Sequence, residues 1–178
     1  MASSDEAALD DAERLRLAAT VGTSLDGDDD GRGLRVGVAC ARFNGGITTR
    51  LLAGCLDELA ACGVDPVDVT LAWVPGAFEL PLAARAFATA EAGYAAVITL
   101  GAVIRGETGH YEVVANECAR GVQEVAVVTG TPVVFGVLTC ETVGQALERS
   151  APDETNKGRD AARAAVEMAR LLERPQLQ

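Results

Sequence analysis

From residue 34 onward, short apolar segments alternate with longer segments in which apolar residues recur at helical spacing. Four of the short segments are rich in valine and bounded by glycine, proline or charge, which is typical of buried strands; they span residues 34–40, 67–74, 95–103 and 132–139. Strands that are apolar along their whole length, each followed by a helix, form a parallel sheet covered on both faces. The alternation therefore predicts a three-layer, doubly wound α/β fold with four parallel strands.

The segments between and after these strands carry helical signals. After the first strand, one helical face is formed by Leu52, Cys55, Leu56, Leu59 and Cys62. After the third strand, the spacing predicts a helix from about Tyr111 to Val128. The other predicted helices lie in the alanine-rich part of 75–90, in 142–150 and in 158–173.

The first 33 residues differ in composition from the remainder of the chain. They carry nine acidic and three basic side chains, which is typical of a solvated, flexible tail. We therefore expect an acidic tail over 1–33 and a single domain over 34–178, with residues 19–25 a candidate extra strand for this sheet or a neighbour's. The tail lacks the apolar core of a secretory signal and is too acidic for an ordinary transit peptide. A cytoplasmic location is expected, or an organelle stroma if the chain is a processed form.

Charge and cysteine spacing exclude several functional classes. The net charge of −11 disfavours nucleic acid as a partner, because phosphate backbones need clustered cations. No apolar run is long enough to span a bilayer, so no membrane association is expected. The five cysteines have no metal-ligand spacing, which predicts no metal and favours a reducing compartment.

Unusual residues cluster where three of the predicted strands end. The segments are ARFNG (41–45), PGAFE (75–79) and RGETGH (105–110). In open α/β sheets, ligands bind beyond the carboxyl ends of the strands. The pattern predicts a binding site formed by these three loops.

The third loop contains His110, the only histidine of the chain. If Thr108 caps the following helix, its hydroxyl and the free amides of the first turn form an anion site. The positive end of the helix dipole would keep the nearby imidazole neutral and able to transfer protons. The alternative is that Thr108 is only a cap and His110 only an exposed first-turn residue. The residues alone favour the two interpretations equally.

The first two loops offer groups that suit a flat, polar ligand. Phe43 directly follows a strand, where its ring could stack on a heterocycle or fill the edge of the core. The turn at 75–76 would expose the backbone of Ala77 and Phe78 to a ligand. Glu79 lies in an apolar run, where it either accepts hydrogen bonds from a polar group or serves as a helix N-terminal carboxylate.

Two cations near the C-terminal part are further candidates. Arg149 ends a short predicted helix, where a positive charge is favourable, and a guanidinium is suited to binding phosphate through two hydrogen bonds. Lys157 lies near the start of the last helix, where the dipole opposes a cation. Its position suggests an anion held jointly by amides and ammonium.

Five motifs, in order and at fitting separations, resemble those of the 6,7-dimethyl-8-ribityllumazine synthase family: RFN, WVPGAFELP, LGAVIRGETGHYEVV, TPVVFGVLT and NKG. The resemblance runs from about Leu34 to Glu173. It implies a flavodoxin-like fold and a transferase of riboflavin biosynthesis. The implied reaction joins 5-amino-6-(D-ribitylamino)uracil to 3,4-dihydroxy-2-butanone 4-phosphate, giving the lumazine, phosphate and water without a cofactor or metal.

The resemblance also implies a role for each matching residue. His110 would transfer protons. The uracil substrate would contact Phe43, Ala77, Phe78, Glu79, Ala102, Val103, Ile104 and Phe135. The phosphate substrate would contact Glu107, Thr108 and Arg149, with Lys157 nearby.

The family's assembly implies the partners of this chain. Family members form pentamers with sites shared between subunits, so Phe135, Arg149 and Lys157 would come from the neighbour. An icosahedral shell of twelve pentamers is a further possibility, and riboflavin synthase is a candidate partner.

Three departures and three rival functions qualify the resemblance. Gly109 stands where the family more often has Thr, Ser or Pro, the link 150–155 differs from that of many shell-forming members, and the acidic tail is longer than in the shortest ones. The rivals are a non-catalytic flavin- or lumazine-binding protein, a shell-forming protein without chemistry, and a flavodoxin-like electron carrier. The last should have a hydroxyl-rich phosphate loop after the first strand, where ARFNGG stands instead.

Overall fold

The structure, a computed structural model, describes residues 10–178. Four strands form one parallel sheet: β1 (Val36–Ala41), β2 (Val69–Val74), β3 (Ala96–Ile104) and β4 (Val133–Cys140). The helices are α1 (Asp11–Ala18), α2 (Gly45–Ala61), α3 (Leu80–Ala88), α4 (His110–Thr129), α5 (Val143–Arg149) and α6 (Lys157–Leu172). Short 3-10 turns lie at Pro66–Asp68, Ala77–Glu79 and Pro175–Leu177.

The sheet order is β2-β1-β3-β4, with helices on both faces. On one face, Val36, Val38 and Cys40 of β1 belong to the apolar cluster that includes α2 and α6. On the other face, Ala39 and Ala41 belong to the cluster that includes α3 and α4. Both faces of β1 are buried, as the uninterrupted apolar strand segments require. The predicted doubly wound, flavodoxin-like α/β fold is confirmed.

The observed element boundaries differ from the predicted ones by one or two residues. β1 starts at Val36 rather than at residue 34, because the amide of Leu34 closes a turn on the Gly31 carbonyl at 3.1 Å. β2 starts at Val69 because Pro66–Asp68 forms a 3-10 turn. The helix predicted from about Tyr111 begins one residue earlier, so His110 is its first residue.

Residues 19–25 do not form a strand of this sheet, so that part of the prediction is wrong. The amides of Thr20 and Val21 bond back to carbonyls at the end of α1 instead of to a strand of this sheet. Residues 26–32 lie against α6, where Arg170 Nε donates to the Asp30 carbonyl at 2.6 Å. The tail predicted over 1–33 begins outside the described residues, and its flexibility stays a prediction.

Burial keeps the thiols of the core cysteines protonated. The five cysteines are free thiols, and desolvation raises the pKa of Cys40 and of Cys118 to about 11. Cysteine in such surroundings acts as a small apolar residue rather than as a nucleophile. Within residues 10–178, no helix is both long and apolar enough to cross a membrane.

Candidate functional site

A cavity of about 650 Å³ lies beyond the carboxyl ends of β1, β2 and β3, beside the start of α4. Because the carboxyl ends of parallel strands meet at one edge, the three loops singled out from the sequence converge there. Nine of the predicted site residues line it: Phe43, Ala77, Phe78, Glu79, Ala102, Val103, Ile104, Thr108 and His110.

Four predicted site residues do not line this cavity on their own chain. Glu107 lies in the same loop, but the lining is formed by its neighbours Gly106 and Thr108. The other three lie in the C-terminal part of the chain. Phe135 lies within β4, Arg149 ends α5 and Lys157 begins α6. The single chain therefore brings together one group of predicted residues and leaves a second group elsewhere.

Phe43 projects from a sharp chain reversal after β1. Asn44 adopts a left-handed conformation (φ 58°), which asparagine tolerates better than most residues. The Phe43 amide donates to the Pro75 carbonyl at 3.0 Å, while Asn44 Nδ2 donates to the Ala102 carbonyl at 2.8 Å. The Phe43 side chain is left 70% exposed, so the alternative that it fills the core edge is wrong.

Glu79 stabilises the turn that leads into α3. Its Oε2 accepts a hydrogen bond from the Gly76 amide at 2.9 Å, so the interpretation as a helix N-terminal carboxylate describes this contact. Its Oε1 accepts no hydrogen bond from residues 10–178 and lies in an exposed side chain on the cavity wall. One carboxylate oxygen thus shapes the turn while the other is open to a ligand.

The end of β3 presents backbone groups to the cavity. β1 pairs with β3 only as far as Leu100, whereas β4 continues to Ile104. The Arg105 amide donates to the Cys140 carbonyl at 2.9 Å, so the backbone groups of Arg105 point towards β4. Successive residues of a strand direct their backbone groups to opposite edges, so every second residue before Arg105 points towards β1. Ala102 and Ile104 are those residues. The Ala102 carbonyl accepts the hydrogen bond from Asn44 Nδ2, whereas the backbone of Ile104 lies beyond the last residue of β3 that pairs with β1.

The start of α4 brings His110 to the cavity, but its cap differs from the prediction. Gly109 is the N-cap residue and Thr108 precedes it, so the prediction of Thr108 as the cap is wrong by one position. A glycine at this position supplies no side-chain oxygen, and the Thr108 hydroxyl accepts only a long hydrogen bond, 3.4 Å, from the His110 amide. Thr108 and the first-turn residues His110 and Tyr111 still line the same cavity.

Some lining residues were not singled out in the sequence. Tyr111, Val113 and Val114 form an apolar wall on the first turns of α4, and Asn44 also lines the cavity. A signal for the wall existed, because Tyr111, Val113 and Val114 follow His110 closely in the sequence. An apolar wall with a few polar groups is typical of a small-molecule site.

The two remaining cations have partners within their own helices. Lys157 Nζ pairs with Asp160 Oδ2 at 2.7 Å, and the Gly158 amide donates to Asn156 Oδ1 at 2.8 Å. The local charge of Lys157 is therefore balanced without a bound anion. Arg149 Nη1 donates to the Gln145 carbonyl at 3.1 Å, as expected for a cation at a helix C-terminus, and its side chain is exposed.

A sequence profile of the family described as 6,7-dimethyl-8-ribityllumazine synthase matches residues 33–173. The matched segment is most of the chain. It contains all four strands, the helices α2 to α6 and every residue that lines the cavity.

Proposed function

The chain belongs to the 6,7-dimethyl-8-ribityllumazine synthase family, and from this membership we propose that it condenses 5-amino-6-(D-ribitylamino)uracil with 3,4-dihydroxy-2-butanone 4-phosphate. The products are 6,7-dimethyl-8-ribityllumazine, phosphate and water, and the step is the penultimate one of riboflavin biosynthesis. The observation that carries the proposal is the cavity. It combines an exposed aromatic ring, the end of β3 and the only histidine at a helix start.

The uracil substrate is assigned to the side of the cavity formed by β1, β2 and β3. The exposed ring of Phe43 offers a stacking surface for the pyrimidine. The end of β3 at 102–104, where Ile104 extends past the pairing with β1, offers backbone groups to the pyrimidine edge. The free oxygen of Glu79 is assigned to the ribityl hydroxyls.

The four-carbon phosphate is assigned to the start of α4. Unpaired amides at a helix N-terminus and the Thr108 hydroxyl are suited to phosphate oxygens, and Glu107 adjoins them. Within the described residues, no lysine or arginine lines the cavity. A phosphate group is normally held by at least one cation as well, so the single chain supplies an incomplete phosphate site.

Arg149 of an adjacent subunit is proposed as the missing cation. In this proposal the chain forms a pentamer in which Phe135, Arg149 and Lys157 complete the neighbour's cavity. Support comes from the exposure of Arg149 and from large apolar side chains left in solvent on the sheet edge and on α4: Leu71, Trp73, Val127 and Val128. A shell of pentamers and an association with riboflavin synthase are further proposals.

The proposed chemistry consists of proton transfers between nitrogen, carbon and oxygen. The primary amine adds to the ketone and loses water to form an imine, phosphate leaves, and ring closure releases a second water. His110 lies at the junction of the two assigned substrate positions and acts as the proton-transfer group. Much of the acceleration comes from holding the two partners in register.

Mixing the purified chain with both substrates tests the proposal. We expect lumazine fluorescence and phosphate release at equal rates, well above the uncatalysed mixture. We expect His110→Ala to lower the turnover number roughly a hundredfold while largely sparing the affinity for a lumazine analogue. Analogue binding by the natural chain without any acceleration would instead favour the non-catalytic binding protein.

A further inference from the structure

Arg105 connects three elements around the loop that carries His110. Its Nε donates to Glu141 Oε2, just after β4, at 2.6 Å. Its Nη1 pairs with Glu112 in the first turn of α4. Its guanidinium carbon lies 4.2 Å from the centre of the Tyr111 ring, which is a cation–π contact. One side chain thus joins the ends of β3 and β4 to the start of α4.

The loop between Arg105 and α4 has few other attachments. Residues 105–110 are all exposed, and no backbone amide of 106–109 donates a hydrogen bond within the described chain. The loop contains two glycines, and a Cβ built on Gly106 would meet no heavy atom within 4 Å. Such a loop has little packing to restrict it, so its geometry depends on the contacts made at its ends.

Arg105 is not itself placed to bind a substrate anion. It does not line the cavity, and two carboxylates already balance its charge. The guanidinium also lowers the pKa of Glu112, so this carboxylate stays ionised and paired at neutral pH. The effect of Arg105 on the reaction would therefore pass through the residues that it holds, Tyr111 and Glu112, which adjoin His110.

We infer that Arg105 is a positioning residue that clamps the start of α4 to the ends of β3 and β4 and thereby fixes His110 against the bound substrates. The inference rests on the proposed function. A guanidinium can satisfy two carboxylates and stack on a ring at once, whereas an ammonium cannot, so lysine is only a partial replacement. Because ion pairs at this exposure are screened by salt, the clamp loosens as ionic strength rises.

The test compares the natural chain with Arg105→Met and Arg105→Lys. With both substrates saturating, we expect Arg105→Met to lower kcat about tenfold with KM for the uracil substrate changed less than about twofold, since small misplacements affect the reaction more than binding. Arg105→Lys should recover part of kcat. Raising added salt from about 50 to about 500 mM should lower kcat of the natural chain but not of Arg105→Met.

A matched control and a second readout keep the inference falsifiable. Arg120→Met removes an arginine of α4 that pairs with Glu117 and Glu124 away from the loop, and it should leave kcat unchanged. Amide exchange at 113–116, the first amides of α4 that have partners within the helix, should be faster in Arg105→Met than in the natural chain, whether or not the chain catalyses the proposed reaction. Unchanged exchange would overturn the clamp, and faster exchange with unchanged kcat would overturn the positioning role. If Arg105→Met does not fold, Glu141→Gln removes one contact of the same clamp and should give smaller changes in the same direction.

Discussion

Arg149 suits its own helix, and in the proposed assembly it also serves a neighbouring subunit. At the C-terminus of α5 its Nη1 donates to the Gln145 carbonyl, which explains a cation there without any ligand. Its charge also opposes the rise that burial causes in the pKa of Cys140, so the guanidinium lies near the end of β4. That end of the sheet carries the chemistry in the proposed assembly.

Replacement of Arg149 tests the phosphate assignment. Arg149→Ala is expected to raise KM for the butanone phosphate about tenfold or more, because a charge-assisted bidentate contact with phosphate is lost. Affinity for a lumazine analogue, which has no phosphate, should change less than about twofold. Arg16→Ala removes another exposed arginine, which lies on α1 and pairs with Glu13, and is the control. Equal losses for both ligands would contradict the assignment.

At the scale of elements, one carboxylate joins α2 to α6 on the face remote from the cavity. The side chain of Glu58 is only 9% exposed, and it pairs with Arg163 Nε at 2.6 Å and Arg159 Nη1 at 2.9 Å. The hydrogen bond from Arg163, together with Arg159, holds the pKa of Glu58 below its usual range. Because the pKa of Glu58 is lowered in the folded chain, the pairing contributes its full stabilisation at pH values above the ordinary glutamate pKa. This stabilisation is lost as the pH falls through the lowered pKa of Glu58.

Acid unfolding of Glu58→Gln tests this connection. We expect the variant to lose about 2 kcal/mol of unfolding free energy at pH 7, because two guanidinium groups lose their shared partner. Between about pH 5 and about pH 3 the natural chain should lose stability more steeply than the variant, and the difference should shrink with acid. Asp57→Asn is the control, since Asp57 is 68% exposed and lies 3.5 Å from Arg159. A constant difference across this pH range would contradict the assignment.

At the scale of the whole molecule, local signals predicted the fold and the three loops that line the cavity. The alternation of buried strands and helices is encoded within each segment, so the parallel sheet followed from it, and with it the convergence of the loops at 41–45, 75–79 and 105–110. Contacts between distant segments were not predictable. Arg105 and Glu141 are 36 positions apart, and neither residue type signals the other. The cap was missed by one residue because glycine and threonine both occur at helix starts.

The shared site is the part of the proposal that concerns more than one chain. His110→Ala damages the cavity of its own chain, whereas Arg149→Ala damages only the cavity of the neighbour. In a ring with head-to-tail contacts, an equal mixture of the two variants leaves roughly a quarter of the sites with both residues intact. A site within one chain would leave no intact site in the same mixture.

The most direct measurement is therefore the turnover of mixed oligomers. His110→Ala and Arg149→Ala, carrying different affinity tags, are co-expressed and purified through both tags, so that every oligomer contains both variants. With butanone phosphate well below its KM, condensation of the two substrates should recover to roughly a quarter of the natural rate, while each variant alone stays about tenfold or more below the natural rate. Failure to obtain mixed oligomers, or turnover no higher than that of the separate variants, would contradict a catalytic site built from two chains.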